Sequence, residues 1–123
     1  MLLKNGVIFL SANTLNKIVS FDFPVKTAYK IKKNCEALNK QLEFINKQRN
    51  ELINKYGKDG KIDSKNEEAI SKFTNDFNEI LNIEEDINID KIDISELEGI
   101  KLSITDLTNI DFMINTEHVE GEE

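Results

Sequence analysis

The sequence predicts a mainly α fold: a long central helix in an antiparallel helical hairpin or coiled coil, with a small β element and a short C-terminal helix (a minor α+β component). Three observations predict it. Apolar residues recur at heptad spacing from Ala28 to Tyr56, the seam repeat of a coiled-coil helix. After a short Gly/Asp-containing connector, Ile70, Phe73, Phe77 and Ile80 follow at 3-4-3 spacing, which reads as a second helix folded back on the first. Beyond residue 84 the period changes: Ile87, Ile89, Ile92 and Ile94 punctuate an acidic stretch, the alternation of one or two short strands with one solvated face. The chain then divides into a helical hairpin region over 1–83, a small acidic strand–helix module over 84–115 packed on it, and an acidic tail over 116–123.

Asn5 is a candidate cap for a first helix over 6–19, with Ile8, Ala12, Leu15 and Val19 on one face. Pro24 suits the first turn of the next helix, because its fixed φ is helical and its missing N–H is not needed there. From Pro24 no breaker intervenes before Gly57, the natural left-handed C-terminal cap. With Ala28 at heptad position a, the seam reads Ala28, Ile31, Cys35, Leu38, Leu42, Ile45, Arg49, Leu52 and Tyr56. Every member but Arg49 is apolar, which specifies a helix of roughly 34 residues, about 50 Å long.

The connector Gly57–Asp63 leads to Ser64, which with Glu67 three residues later makes a candidate capping box for the returning helix. Flanking helices of about 14 and 19 residues together match the length of the central one at the same rise per residue. Two arrangements stay open: a shorter helix folded back from each end, or long helices pairing between subunits. Gly99-Ile100-Lys101-Leu102 is a candidate partner strand. Ser103 with Asp106 opens a last helix bearing Ile104, Leu107, Ile110 and Ile114.

Charge is uneven along the 123 residues, whose net charge is −7. Residues 24–61 carry nine lysines and Arg49 against four acids, a balance of +6, whereas 62–123 carry four lysines against eighteen acids, a balance of −14. Complementarity within the fold or between subunits is the plainest reading of such a division; a basic face for anions is the other. The opening residues hold only a short apolar run before Ser11, too little for a secretory core, and nothing approaches a membrane span. A single cysteine excludes an intrachain disulfide, and with one histidine it leaves no zinc quartet. A reducing, intracellular setting fits this usage.

Candidate chemistry is sparse. Gly57-Lys58-Asp59-Gly60-Lys61-Ile62-Asp63 resembles the middle of a calcium loop, but Lys55, Gly57 and Asn66 fall where hard oxygen ligands are needed. A plain interhelical turn fits better. Asp86-Ile87-Asn88-Ile89-Asp90 lacks the loop glycine and reads as a strand. Cys35 with His118 is a poor nucleophile–base pair, since Cys35 sits in the seam and His118 in the tail. No phosphate-binding glycine loop is present. No catalytic residue, metal or cofactor is therefore expected.

Two interaction signals remain. Lys26, Lys33, Lys40 and Lys47 recur every seven residues at position f, a stripe roughly 31 Å long on the outer face of the helix. It is either a solvated coiled-coil exterior or a docking face for phosphates or an acidic protein surface. Arg49 occupies the seam, where a buried charge requires a partner and can set register; Asp76 or Glu79 across the hairpin are the candidates.

Pro24-Val25-Lys26 with Ala28-Tyr29-Lys30-Ile31 and Asn34, Arg49-Asn50-Glu51-Leu52-Ile53 with Lys55-Tyr56-Gly57, Phe77-Asn78-Glu79-Ile80-Leu81, and Leu97 leading to Lys101-Leu102-Ser103 carry a family likeness. The chain resembles a family of small uncharacterised proteins encoded in phages and prophages of low-GC Gram-positive bacteria. The resemblance spans most of the chain, implies a phage context in the host bacterial cytoplasm, and transfers no catalytic residue. The expected function is a non-enzymatic accessory protein that binds a virion or host defence protein and forms a homo-oligomer. The alternative is a sponge for a charged nucleotide signal, held in a pocket between subunits.

Overall fold

The computed structural model describes residues 1–116. In chain order it contains β1 (Leu2–Lys4), α1 (Asn5–Ile18), α2 (Val25–Tyr56), α3 (Glu67–Leu81), β2 (Glu84–Asp86), β3 (Ile92–Asp93), a 3₁₀ turn (Ile94–Leu97), α4 (Ile104–Asn109), a second 3₁₀ turn (Asp111–Met113) and β4 (Ile114–Asn115). The molecule is mainly helical, with α3 folded back on α2 and α1 packed against both. From residue 117 on, the expected acidic tail and His118 lie outside the described residues.

The long helix is unbroken, but it is rotated about its axis relative to the expected seam. Position d faces the interior as anticipated: Ile31, Leu38 and Ile45 are buried. The second inward row is not Ala28, Cys35, Leu42 and Arg49. Its fully buried members lie one residue earlier, at Thr27 and Asn34, while Gln41 and Gln48 of that row are half-buried, as are Cys35 and Leu42, which pack against the core. Ala28 and Arg49 are exposed.

The reason is polar satisfaction. The segments that cover α2 present polar groups to it, and these need partners once shielded from water. Asn34 donates through Nδ2 to the Asp90 carbonyl at 2.8 Å and accepts the Asp90 amide on Oδ1 at 2.9 Å. Thr27 donates to Glu96 Oε1, and Gln41 donates to Asn5 Oδ1. Hydrocarbon in that row would leave these groups unpaired.

A similar adjustment sets α1, whose buried stripe is Ile8, Ser11, Thr14, Leu15 and Ile18, with Val19 outside. Asn5 is not its cap but its first residue. Fully buried, it accepts from Gln41, donates to the Ile80 carbonyl and offers its own amide to the Ile83 carbonyl, tying α1 to α2 and to the end of α3. Strand β1, which the sequence pattern does not announce, pairs antiparallel with β2 in the register Leu2↔Asp86, Leu3↔Glu85 and Lys4↔Glu84. This pairing crosses the expected boundary at residue 84, and residues from both sides of it share one core.

At the hairpin tip Gly57 is extended (φ −128°, ψ −170°) rather than left-handed. It is glycine for space: a β-carbon there would lie 2.1 Å from the Lys61 carbonyl oxygen. The positive-φ residues are instead Asp59 and Gly60, which turn the chain between Lys58 and Lys61. Asn66, not Ser64, caps α3 by accepting the Ala69 amide. Phe77 anchors the helix, its ring edge-to-face with Phe9 and stacked with Phe73.

In the C-terminal module, Ile92–Asp93 pairs parallel with Ile114–Asn115. Ile94–Leu97 is a 3₁₀ turn capped by Asp93, and residues 99–102 form no strand, with Gly99 in the left-handed region. The Ser103–Asp106 capping box forms as anticipated. The helix is shorter than expected, and the reading of its face holds only in part: Ile104 is 85% exposed and Asp106 is buried, whereas Ile110 and Ile114, just beyond the helix, are buried as expected.

Asn34→Leu makes the inward face of α2 more apolar at a position of matching size. It is expected to destabilise the protein by about 2–3 kcal/mol, because the Asp90 amide and carbonyl lose their partners; denaturant unfolding measures it, and an unchanged or raised stability contradicts the polar-row account.

Candidate functional site

The lysine stripe lies where the helical repeat places it. Lys26, Lys33, Lys40 and Lys47 are all exposed along the outer face of α2, and among the described residues none forms an ion pair within the chain. The pairs that do bridge the basic and acidic parts are few. From the basic segment, Lys30 meets Glu96 at 3.7 Å; from the residues before it, Lys17 meets Asp106 at 3.0 Å and the Met1 amino group meets Asp86 at 2.7 Å. Among the described residues the ion pairs thus use other lysines and leave the stripe without one.

Beside the stripe runs a second exposed row, Tyr29, Glu36, Glu43 and Asn50. Lys33 Nζ stands 5.7 Å from the centre of the Tyr29 ring, within cation–π range. Lys32 bonds Glu36 one turn on and holds that carboxyl below the usual carboxylate range, with Lys33 and Lys40 adding to the effect. At the N-terminal end of α2, Val25, Lys26, Tyr29, Lys30, Lys33 and Asp90 line an open groove of about 380 Å³.

Arg49 is not a seam residue. The rotation of α2 carries it to the surface, where it forms no ion pair with Asp76 or Glu79 among the described residues. Asp76 is instead bonded by the Tyr56 hydroxyl. Arg49 borders a shallow cleft with Ile53, Ile62, Ile70 and Phe73. The same rotation opens the flank of the expected seam. Ile18, Val19, Phe21, Phe23, Ala28, Ile31 and Cys35 line an apolar cleft of about 330 Å³, with Lys32 and Glu36 at its rim. Burial pushes the Cys35 thiol above its ordinary range, Glu36 reinforcing this, so the thiolate nucleophile is disfavoured.

The calcium-like segments are engaged otherwise. Asp63 accepts the Lys65 amide in a turn, Asp86 pairs with the Met1 amino group, and the Asp90 backbone is held by Asn34. Among the described residues no three His, Cys, Asp or Glu side chains gather in a way that would hold a metal ion, and no helix is long and apolar enough to cross a membrane.

The most organised polar cluster was not visible in the spacing. Asp106, 6% exposed, accepts from Lys17 Nζ at 3.0 and 3.2 Å, from Thr14 Oγ1 at 3.1 Å and from the Ser103 amide at 3.2 Å. Asn109 reaches the same threonine. The Lys17 ammonium first, then the Ser103 amide, hold the Asp106 carboxyl down at about 2, against 3.8 for an ordinary aspartate. A capping box was the signal available; that its acidic member also docks on α1 depends on tertiary placement. The cluster is saturated by its own partners and fastens α4 to α1.

The chain matches no protein-family model, no curated protein and no solved structure closely enough to carry an inference.

Two measurements check these assignments. Because the Asp106 carboxyl is depressed in the folded state, its stabilisation is complete above the unfolded value and is lost as pH falls from about 4 toward about 2. Asp106→Asn should therefore lower the thermal midpoint at neutral pH and flatten its acid dependence, converging on the wild type near the bottom of that window. Arg49→Ala, at an exposed position without an ion pair among the described residues, should change unfolding free energy by less than about 0.5 kcal/mol; a loss several times larger would restore Arg49 to an interior role.

Proposed function

We propose that this chain is a non-enzymatic, phage-encoded accessory protein that acts in the host bacterial cytoplasm by protein–protein binding and self-association, as an assembly factor or as an inhibitor of a host defence system. The observation that carries the binding reading is the outer face of α2. Four lysines stand exposed at heptad spacing without an ion pair in their own chain among the described residues. The neighbouring row interleaves Glu36 and Glu43 with them. A nucleic-acid backbone is best met by unbroken positive charge, whereas alternating signs along a rigid rod match a protein surface of complementary pattern. The phage setting rests on the resemblance of the Pro24–Asn34, Arg49–Gly57 and Phe77–Leu81 segments. The half-open apolar cleft beside Cys35 adds surface that a partner side chain would bury.

A second reading has its own observation. The groove beside Tyr29 combines an exposed aromatic ring with Lys26, Lys30 and Lys33, the pairing of stacking surface and cations that holds a nucleotide. In this reading a second subunit would close the groove and the protein would sequester a charged nucleotide signal.

Light scattering across a concentration series, paired with affinity capture from infected cells, tests the first reading. The expected result is a mass above the monomer that falls with added salt, and a captured virion or host protein that is lost when the four lysines are replaced by alanine. A strict monomer that captures nothing overturns it. For the second reading, a cyclic or linear nucleotide should raise the thermal midpoint of the wild type and not of Tyr29→Ala; an unmoved wild-type midpoint removes it.

A further inference from the structure

The outer face of α2 carries a second heptad seam, opposite the one that holds the fold together. Lys26, Tyr29, Lys33, Glu36, Lys40, Glu43, Lys47 and Asn50 follow one another at alternating steps of three and four residues, and all eight are exposed. Steps of three and four place successive members side by side on one ridge, so the two rows form a continuous strip about 36 Å long. One row is entirely lysine. The other holds the two glutamates at its centre, with an aromatic ring before them and an amide after.

That pattern discriminates between orientations. When two helices run parallel in such a seam, each row meets its own copy, and four lysines would face four lysines. Like charges so placed repel. When the helices run antiparallel, each row meets the other. In the register that overlaps all eight positions, Lys33 faces Glu43 of the second copy and Lys40 faces its Glu36; the dyad generates the same two contacts in reverse. Lys47 then falls over the partner's Tyr29 and Lys26 over its Asn50, so every lysine gains an acceptor or a ring.

We infer that the outer strip of α2 is a self-association surface that receives a second copy of this chain in antiparallel orientation, with Lys33 and Lys40 set against Glu43 and Glu36 across the two-fold axis. The inference deepens the binding reading above and rests on it, assigning the lysine row its partner. Charge complementarity selects the occupant. The strip is self-complementary through a two-fold, the property an isologous interface requires, and all eight of its positions are exposed among the described residues. Tyr29 (53% exposed) and Phe44 (42% exposed), which lies beside the strip, supply apolar area. Only exposed contacts rearrange: Glu36 exchanges its bond with Lys32, and Lys33 leaves the Tyr29 ring, each an interaction of small energy at a surface. A mostly polar interface of this kind is weak and salt-sensitive, so the surface suits an assembly whose state responds to concentration.

Charge exchange tests it. Sedimentation equilibrium of the wild type should give a monomer–dimer equilibrium that weakens as salt is raised. Lys33→Glu with Lys40→Glu makes all four central contacts acid against acid, and Glu36→Lys with Glu43→Lys makes them base against base. Each double variant alone should dimerise at least about tenfold more weakly than wild type, with circular dichroism unchanged. An equimolar mixture of the two should recover association as a heterodimer, the outcome that a general charge effect does not produce. A wild-type dimer indifferent to both charge reversals, or a mixture that does not recover, overturns this surface while leaving self-association through another face intact. A wild type that stays monomeric throughout overturns the inference and the self-association reading together.

Discussion

Everything in this molecule is arranged around the inward face of one long helix. Ile31, Leu38 and Ile45 provide its hydrophobic line, and burying them supplies the largest favourable term. What fixes the helix's rotation is the polar row beside that line. Thr27, Asn34 and Gln41 each bond a group belonging to a different covering segment: the Ile94–Leu97 turn, the loop at Asp90 and the start of α1. Hydrophobic burial is indifferent to small rotations, whereas hydrogen bonds are directional and costly to leave unmade. The polar row therefore chooses among rotations that the apolar row alone would tolerate.

The composition of the outer surface follows from the same choice. Turning Asn34 and Gln41 inward leaves Lys33, Lys40, Glu36 and Glu43 outside, so the charged pattern of the outer strip is a consequence of how the core is satisfied. The rotation also takes Arg49 out of the interior and leaves Cys35 on a half-open apolar flank rather than in a sealed seam. One helix thus bears a structural face, a charged face and an apolar margin, and among the described residues the last two are exposed or half-open.

The acidic C-terminal segment has a different part. It contributes two carboxylates that dock on the helical region, Glu96 on Thr27 and Lys30 and Asp106 on Thr14 and Lys17. Hydrogen bonds to the charged form keep both carboxyls below the usual range: the Thr27 hydroxyl is the main cause for Glu96, and Lys17 for Asp106. These are the points where the uneven charge of the chain is used internally. Most of the other acidic residues among those described are exposed.

The residue pattern alone specifies the unbroken helix between Pro24 and Gly57, the returning helix with Phe73 and Phe77, the Ser103–Asp106 cap and the outward lysine row. Each of these is read from periodicity or local capping, and both are properties of a short stretch of chain. Tertiary contacts choose which of two adjacent rows of α2 faces inward, because both rows keep the same period and the difference lies in partners up to sixty-nine residues away. They decide likewise that Leu2–Lys4 pairs with Glu84–Asp86, that Gly57 serves close approach rather than a left-handed turn, and that Asp106 rather than Ile104 is covered. A hydrogen bond between distant segments leaves no periodic trace in the residues that make it, and it is such bonds that orient this fold.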